Sequence, residues 1–356
     1  MNLRSTRPGR GWPIQRGELK RLLGLPLLLL VLLAAACGGD EPLTTLSPKS
    51  DVAENVQSLF VFIFWMAAFV FIVIEGLLIF VVLRFRRRPA DGMPKQTHGH
   101  KALEIVWTIV PIPVLLAILI PTWQVIFDNA NTPEGAMRIE VTAHQWWWEV
   151  RYPDLGVVTA NEIHVPVGQP VGISLLSDDV IHSFWVPQLS GKQDMVPGRT
   201  NSIWFTPLFT GVFQGQCAEL CGESHAHMKF QVEVDEQGAF DAWVASQNSA
   251  AAPPQAAGAA GADLFISKGC LACHTIDGTL SAGVIGPNLT HVGGRSTLGA
   301  GMLENSVDGL ARWIRDPDAV KPGNVMSRDG AMYQNAALAL TDAEIDALAA
   351  YLDGLN

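Results

Sequence analysis

The chain has 356 residues with 24 basic and 34 acidic side chains, a formal net charge of −10 that argues against a nucleic-acid partner. Hydrophobic residues make up 49% and charged residues 16%, so a chain disordered throughout is excluded, and two or three domains are expected. The charge is uneven: residues 1–127 hold 13 Lys/Arg against 8 Asp/Glu, and residues 128–356 hold 11 against 26. That asymmetry suits a membrane-anchored protein with an acidic soluble portion, whose surface favours basic protein partners or only solubility.

Residues 1–21 carry six Lys/Arg and one Glu, and an apolar run follows over 22–36. A basic stretch, an apolar stretch and small closing residues read as a secretory signal over 1–36. Leu33-Ala34-Ala35-Ala36-Cys37-Gly38 resembles a bacterial lipobox, with Cys37 as the lipidated first residue of the mature chain. An ordinary signal peptide, or an uncleaved helix with a chance cysteine, is the alternative. Two longer apolar segments, 59–83 and 105–127, reach roughly 35 Å as helices, enough to cross a hydrocarbon core. Arg84, Arg86, Arg87, Arg88, Lys95 and Lys101 lie around the loop between them, which places that loop in the cytoplasm and both soluble ends outside. The expectation for 50–127 is therefore a transmembrane helical hairpin in a bacterial plasma membrane, in contact with lipid.

From Met137 to Val234, short β-branched and aromatic runs are broken by Pro and Gly, as in Arg138–Thr142, Val171–Leu175 and Phe230–Val234. This pattern predicts a β-sandwich or barrel within 128–245. Residues 246–262 contain no charge and no large apolar side chain and are expected as a linker. The remaining 263–356 form a second soluble domain. It closes in a helix announced by the capping box Thr341-Asp342-Ala343-Glu344 and the stripe Ile345, Leu348, Ala349 and Leu352.

Apart from Cys37, the cysteines fall in two close pairs, which suits metals or cofactors better than a disulfide framework. Cys217-Ala218-Glu219-Leu220-Cys221 runs on to His225 and Met228, and His182 lies upstream in Asp178-Asp179-Val180-Ile181-His182. A blue-copper site needs one Cys, two His and a weak Met. Here a second thiolate is present, so two copper ions can be bridged, with one His for each. Structural zinc is the alternative, but a Cys₂His₂ zinc site has no use for a Met. His227 competes with His225 and reads as a surface or supporting residue. In the last domain Cys270-Leu271-Ala272-Cys273-His274 is the c-type haem attachment pattern, two thioether bonds with His274 as iron ligand, and a redox disulfide is its rival.

Residues 50–245 resemble subunit II of the haem-copper cytochrome c oxidases. The resemblance rests on the Cys217–Met228 loop, on Asp179–Pro187, on Lys192-Gln193-Asp194-Met195-Val196-Pro197-Gly198-Arg199, and on His144-Gln145-Trp146-Trp147-Trp148, with Trp for the family's Tyr at 147. With the haem segment included, the whole chain after the signal resembles the caa type, in which a class I cytochrome c domain follows the copper domain. The resemblance implies an all-β cupredoxin-like Greek-key domain and an all-α cytochrome c domain behind a two-helix membrane hairpin. It implies a dinuclear copper centre held by His182, Cys217, the Glu219 carbonyl, Cys221, His225 and Met228, and a magnesium or manganese ion shared with subunit I through Glu219.

The same resemblance puts Trp146 where electrons reach the copper centre, with a core aromatic or interface anchor as its plainer reading; Trp148, which alternates with it, reads as the core residue of the two. Glu104 matches the glutamate at the mouth of a proton-uptake channel, against a plain helix-terminal charge. Glu75, deep in the first span, is assigned nothing by the family and reads as a contact to a partner subunit. Lys321-Pro322-Gly323-Asn324-Val325-Met326 resembles the axial-methionine loop, with Met302 and Met332 as rivals, and Gly286-Pro287-Asn288-Leu289 resembles the segment that supports the proximal histidine. The implied function is electron transfer from an external cytochrome c or a quinol-oxidising complex, through haem c and copper, to subunit I. Oxygen reduction coupled to proton translocation follows there, with subunit III as a further partner. A related nitric oxide reductase, a quinol oxidase subunit, and a membrane-tethered copper-delivery or electron-transfer protein are the rival readings.

Overall fold

A computed structural model describes residues 41–86, 92–93, 96, 98–250 and 259–356. The signal segment with Cys37, Arg87, Arg88 and Lys95 of the basic loop, and residues 251–258 of the expected linker lie outside the described residues.

Ser50 opens the first helix, α1 (Asp51–Arg84), by accepting the Ala53 N–H at 3.1 Å, and Asp51 and Glu54 sit in its first turn. The cap and the favourable acidic turn start the helix well before the span expected at 59–83. Its 34 residues reach about 51 Å, and the surplus over a ~30 Å hydrocarbon core is used at the start, where Val52 and Ala53 are buried. The second span also begins earlier than the expected 105. His100 Nδ1 accepts the Leu103 N–H and Glu104 Oε1 accepts the His100 N–H, a reciprocal cap that opens α2 (Lys101–Ile109). Helix α3 (Pro111–Ala130) follows across Val110, which keeps helical angles while Pro111 brings no N–H to the ladder. Both α1 and the α2–α3 run are long and apolar enough to cross a membrane.

Ten strands follow: β1 (Met137–His144), β2 (Trp147–Tyr152), β3 (Val157–Ala160), β4 (Glu162–Pro166), β5 (Val171–Ser177), β6 (His182–Trp185), β7 (Lys192–Met195), β8 (Asn201–Phe205), β9 (Gly211–Cys217) and β10 (Lys229–Asp235). They form two five-stranded sheets, ordered β3-β2-β1-β5-β8 and β4-β10-β9-β6-β7. Alternation buries one side of β1 through Ile139, Val141 and Ala143 and one side of β5 through Val171, Ile173 and Leu175, whereas β4 is buried on both sides. Parallel pairing of β1 with β5 and of β4 with β10 makes the sandwich cupredoxin-like rather than a simple meander. Both membrane helices are tied to β8 and its end: Asp51 Oδ1 accepts the Thr206 N–H at 2.8 Å, and Trp204 Nε1 donates to the Asn129 carbonyl at 3.0 Å. The open end of the hairpin therefore meets the sandwich. Helix α4 (Gln237–Gln247) packs on the second sheet, with Trp243 stacked on His164 at 4.2 Å.

The last domain is helical: α5 (Ala259–Ser267), α6 (Val307–Arg315), α7 (Pro317–Val320), α8 (Val325–Asp329), α9 (Ala331–Gln334) and α10 (Asp342–Asp353), with the small ribbon β11 (Thr297–Leu298) and β12 (Leu303–Glu304). The Thr341/Glu344 capping box is formed, and Ile345, Leu348, Ala349 and Leu352 are buried against Phe265, Leu310 and Ile314. The expected linker 246–262 is too long. Helix α4 enters it at one end and α5 at the other, because alanine is the best helix former and small residues let α5 lie close on α10. Gly261 shows the closeness: a Cβ there would stand 2.4 Å from the Ala347 carbonyl oxygen.

Candidate functional site

Pairing of β6 with β9 places Phe184 opposite Cys217, which brings His182 at the start of β6 beside the end of β9. The loop after Cys217 turns back so that the Cys217 N–H donates to the Met228 carbonyl at 2.9 Å. Six donors then converge. Cys217 Sγ lies 3.8 Å from Cys221 Sγ, 3.9 Å from His182 Nδ1 and 3.2 Å from the Glu219 carbonyl oxygen. Cys221 Sγ lies 3.6 Å from His225 Nδ1 and 3.8 Å from Met228 Sδ. His182 and Met228 are fully buried. His227 is not part of this group; its Nδ1 is buried without a partner.

The two thiols behave as a pair. The Cys221 S–H donated to it, with His182 and nearby backbone N–H groups, holds the Cys217 thiol far below its ordinary range against the cost of burial. The same contact and burial push Cys221 up. Burial opposes a proton on His182, but Asp179 at 2.7 Å from its Nε2 and the Cys217 sulfur outweigh it and raise its pKa. Val180, Ile181 and Leu220 are exposed apolar side chains flanking the two ligand loops.

Trp146 stands at the turn between β1 and β2 and is 7% exposed. Its indole Nε1 donates to the Cys221 carbonyl at 3.1 Å, and Gln145 Nε2 donates to the same oxygen at 2.7 Å. Trp148 is the core residue, packed on Phe184 and Phe230. On its other side Trp146 lines a cavity of about 280 Å³ that also takes in Cys270, Cys273, His274, Met326 and Met332.

His274 Nδ1 donates to the Pro287 carbonyl at 2.8 Å, which leaves Nε2 as the free lone pair, and burial lowers the His274 pKa. Met326 and Met332 both border the cavity; Met302 does not.

Two contributors, Arg295 and Lys321, carry no signal of their burial in the sequence, and a third, Asp179, does. Arg295 is half-buried in the cavity wall with its Nε buried and unpartnered, and desolvation pulls its pKa down to about 10. Lys321 is 2% exposed, and burial pulls its pKa down to about 7. Asp179 was in plain view beside His182, and the spacing i, i+3 was the available signal. Glu104 and Glu75 lie on exposed helix surfaces, Glu104 in the α2 cap, neither near the copper-type donors nor in the cavity wall.

The family model described as the cytochrome C oxidase subunit II periplasmic domain matches residues 156–235, its transmembrane-domain counterpart matches 46–125, and the cytochrome c model matches 258–356. A protein named cytochrome c oxidase subunit 2 from Alkalihalophilus pseudofirmus is 39% identical, with 93% of this chain and 96% of its own length aligned. One of the same name from Bacillus sp. (strain PS3) is 36% identical over 92% and 95%. A protein named quinol oxidase subunit 2 from Bacillus cereus is 31% identical but reaches only 62% of this chain and 77% of its own length.

Proposed function

The chain belongs to the cytochrome c oxidase subunit II family and is thus a membrane-anchored, copper- and haem-binding subunit of a haem-copper oxidase, working in complex with subunit I. From that premise we propose that it takes electrons from an external cytochrome c or a quinol-oxidising complex through a covalent haem c to a dinuclear copper centre, and from there to subunit I. The observation that carries this reading is Trp146, which borders the cavity holding His274 and at the same time hydrogen-bonds the Cys221 carbonyl.

Both groups fit the residues present. Two thiolates, two imidazole Nδ1 atoms, a thioether and a carbonyl form a soft donor set suited to copper. A Cys-x-x-Cys-His segment beside an apolar cavity, with the buried, unpartnered Nε of Arg295 in its wall, suits a haem and its carboxylates. When bound, the two groups supply one-electron redox chemistry. Cys270, Cys273, His274 and Met326 would hold the haem, and His182, Cys217, the Glu219 carbonyl, Cys221, His225 and Met228 would hold the copper. The alternating core around Trp148 keeps water from the sulfurs.

The exposed apolar flank of Val180, Ile181 and Leu220 is the face for subunit I, and the half-buried Glu219 side chain beside it would reach a shared magnesium or manganese ion. The hairpin's attachment to the sandwich, with the basic loop at the other end, supports an outer-face location for both soluble domains in a bacterial plasma membrane. Glu104 at the basic-loop end would serve proton uptake, and subunit III is a further partner. Copper delivery alone and nitric oxide reduction are disfavoured, the first by a haem segment that delivery does not need. The test is rapid reduction of the haem in the purified oxidase: copper must be reduced as the haem is reoxidised, before electrons reach subunit I. Haem oxidation with no copper reduction would contradict the proposal.

A further inference from the structure

Lysine is almost never fully buried unless it is paired with an acid. Lys321 is 2% exposed, yet the acceptors of its ammonium are two backbone carbonyls, those of Trp146 and, at 3.1 Å, Gly299. One belongs to the copper domain and the other to the haem domain. A side chain of the same length without charge would fill the space with no desolvation cost, so packing alone gives no reason for a lysine.

Its neighbours extend the contact in both directions. Towards the haem cavity, Asn324 Nδ2 donates to the Lys321 carbonyl at 2.7 Å, and Asn324 Oδ1 accepts the Ser327 N–H at 2.9 Å, capping α8, which carries Met326. Towards copper, the Trp146 indole donates to the Cys221 carbonyl. The sequence Met326 helix, Asn324, Lys321, Trp146, Cys221 is thus one continuous hydrogen-bonded connection between the two redox sites. The two domains touch closely here. Gly323, at φ 72°, is where a Cβ would come 2.5 Å from Glu223 Oε2 and 3.4 Å from Trp146 Cη2, and Ser224 Oγ donates to the Pro322 carbonyl at 2.6 Å. On the far side of the same seam, Glu162 Oε1 accepts the Ser296 and Thr297 N–H groups at 2.6 and 3.1 Å.

We infer that Lys321 is a positioning residue for electron transfer between the domains, fixing Trp146 against the loop that carries the haem's methionine. The inference rests on the proposed haem-to-copper route. Displacement of reacting partners by about an ångström can cost up to a hundredfold in rate, so loss of the pin is expected to slow the transfer on the order of tenfold.

The experiment compares wild-type oxidase with Lys321→Met and Lys321→Arg in time-resolved haem-to-copper electron transfer, with the haem c potential, the methionine–iron absorption band and the copper EPR signal recorded on each. The expected result is slow transfer in Lys321→Met with all three signatures intact, and recovery of most of the rate in Lys321→Arg. An unchanged rate overturns the inference, and so does loss of the methionine band or copper signal, which would make Lys321 a support of one site rather than a link between two. A wild-type enzyme with no haem-to-copper transfer would instead defeat the proposed route itself. Wild-type oxidase also gives a test free of variants. An amine-reactive reagent should modify exposed Lys192 and leave Lys321 untouched, and equal labelling of the two would contradict a pinned seam.

Discussion

Asp179 accepts from His182 Nε2 at 2.7 Å, which puts the proton on Nε2 and leaves Nδ1 as the lone pair turned to the sulfurs. Asp179→Ala is expected to weaken copper binding by about 10- to 100-fold in chelator competition, whereas an unchanged affinity would mean that burial alone orients the ring. Glu344 is the clearest case of a pH-linked side chain. Lys268 at 2.8 Å and the Thr341 cap hold its carboxyl down to about 2. A depressed carboxylate contributes stability above its ordinary pKa and loses it as the pH falls towards the folded value. Glu344→Gln is therefore expected to lower the melting temperature of the full chain near neutrality, with the difference from wild type vanishing between about pH 5 and pH 2. A difference independent of pH would show that the amide disturbs packing instead. Most of the site was legible at this scale because Cys217, Cys221, His225 and Met228 share one loop, and Cys270, Cys273 and His274 another. Lys321 and Arg295 were not, since their burial arises from a cavity and a seam assembled by distant segments.

Among elements, helix ends and the linker leave the weakest trace in the sequence. Apolar runs mark the spans, but caps decide where helices begin. Ser50 and His100 each open a helix before the apolar stretch starts. The residues around 259 looked like linker because alanine and glycine carry no hydrophobic pattern, yet small size is what α5 needs to approach α10. Gly261→Ala separates the two effects. Helix propensity alone would stabilise by about 1 kcal/mol. The clash with the Ala347 carbonyl is expected to win, giving a net loss of about 1–3 kcal/mol in chemical denaturation. A more stable variant would contradict the close packing. The sandwich and its core strands were accessible from alternation, whereas the parallel pairings of β1 with β5 and β4 with β10 depend on contacts no local pattern records.

At the scale of the molecule, the hairpin holds the sandwich at the membrane through Thr206 and Trp204, and the haem domain closes over the copper loop. On the proposed route, a tethered haem would meet the copper site at an effective concentration of the order of millimolar, and the seam would add a fixed orientation to that advantage. On the proposed outer-face placement, the acidic residues of 128–356 would suit an external donor of basic character. The proposed electron route depends on Cys217 and Cys221 bridging two metal ions. EPR of the purified, copper-loaded protein tests that most directly. The predicted spectrum shows hyperfine structure from one electron shared equally by two copper nuclei, beside a low-spin haem with histidine and methionine ligands. A single-copper spectrum, or no bound copper, would contradict the account and leave a membrane-tethered cytochrome with a structural β-domain.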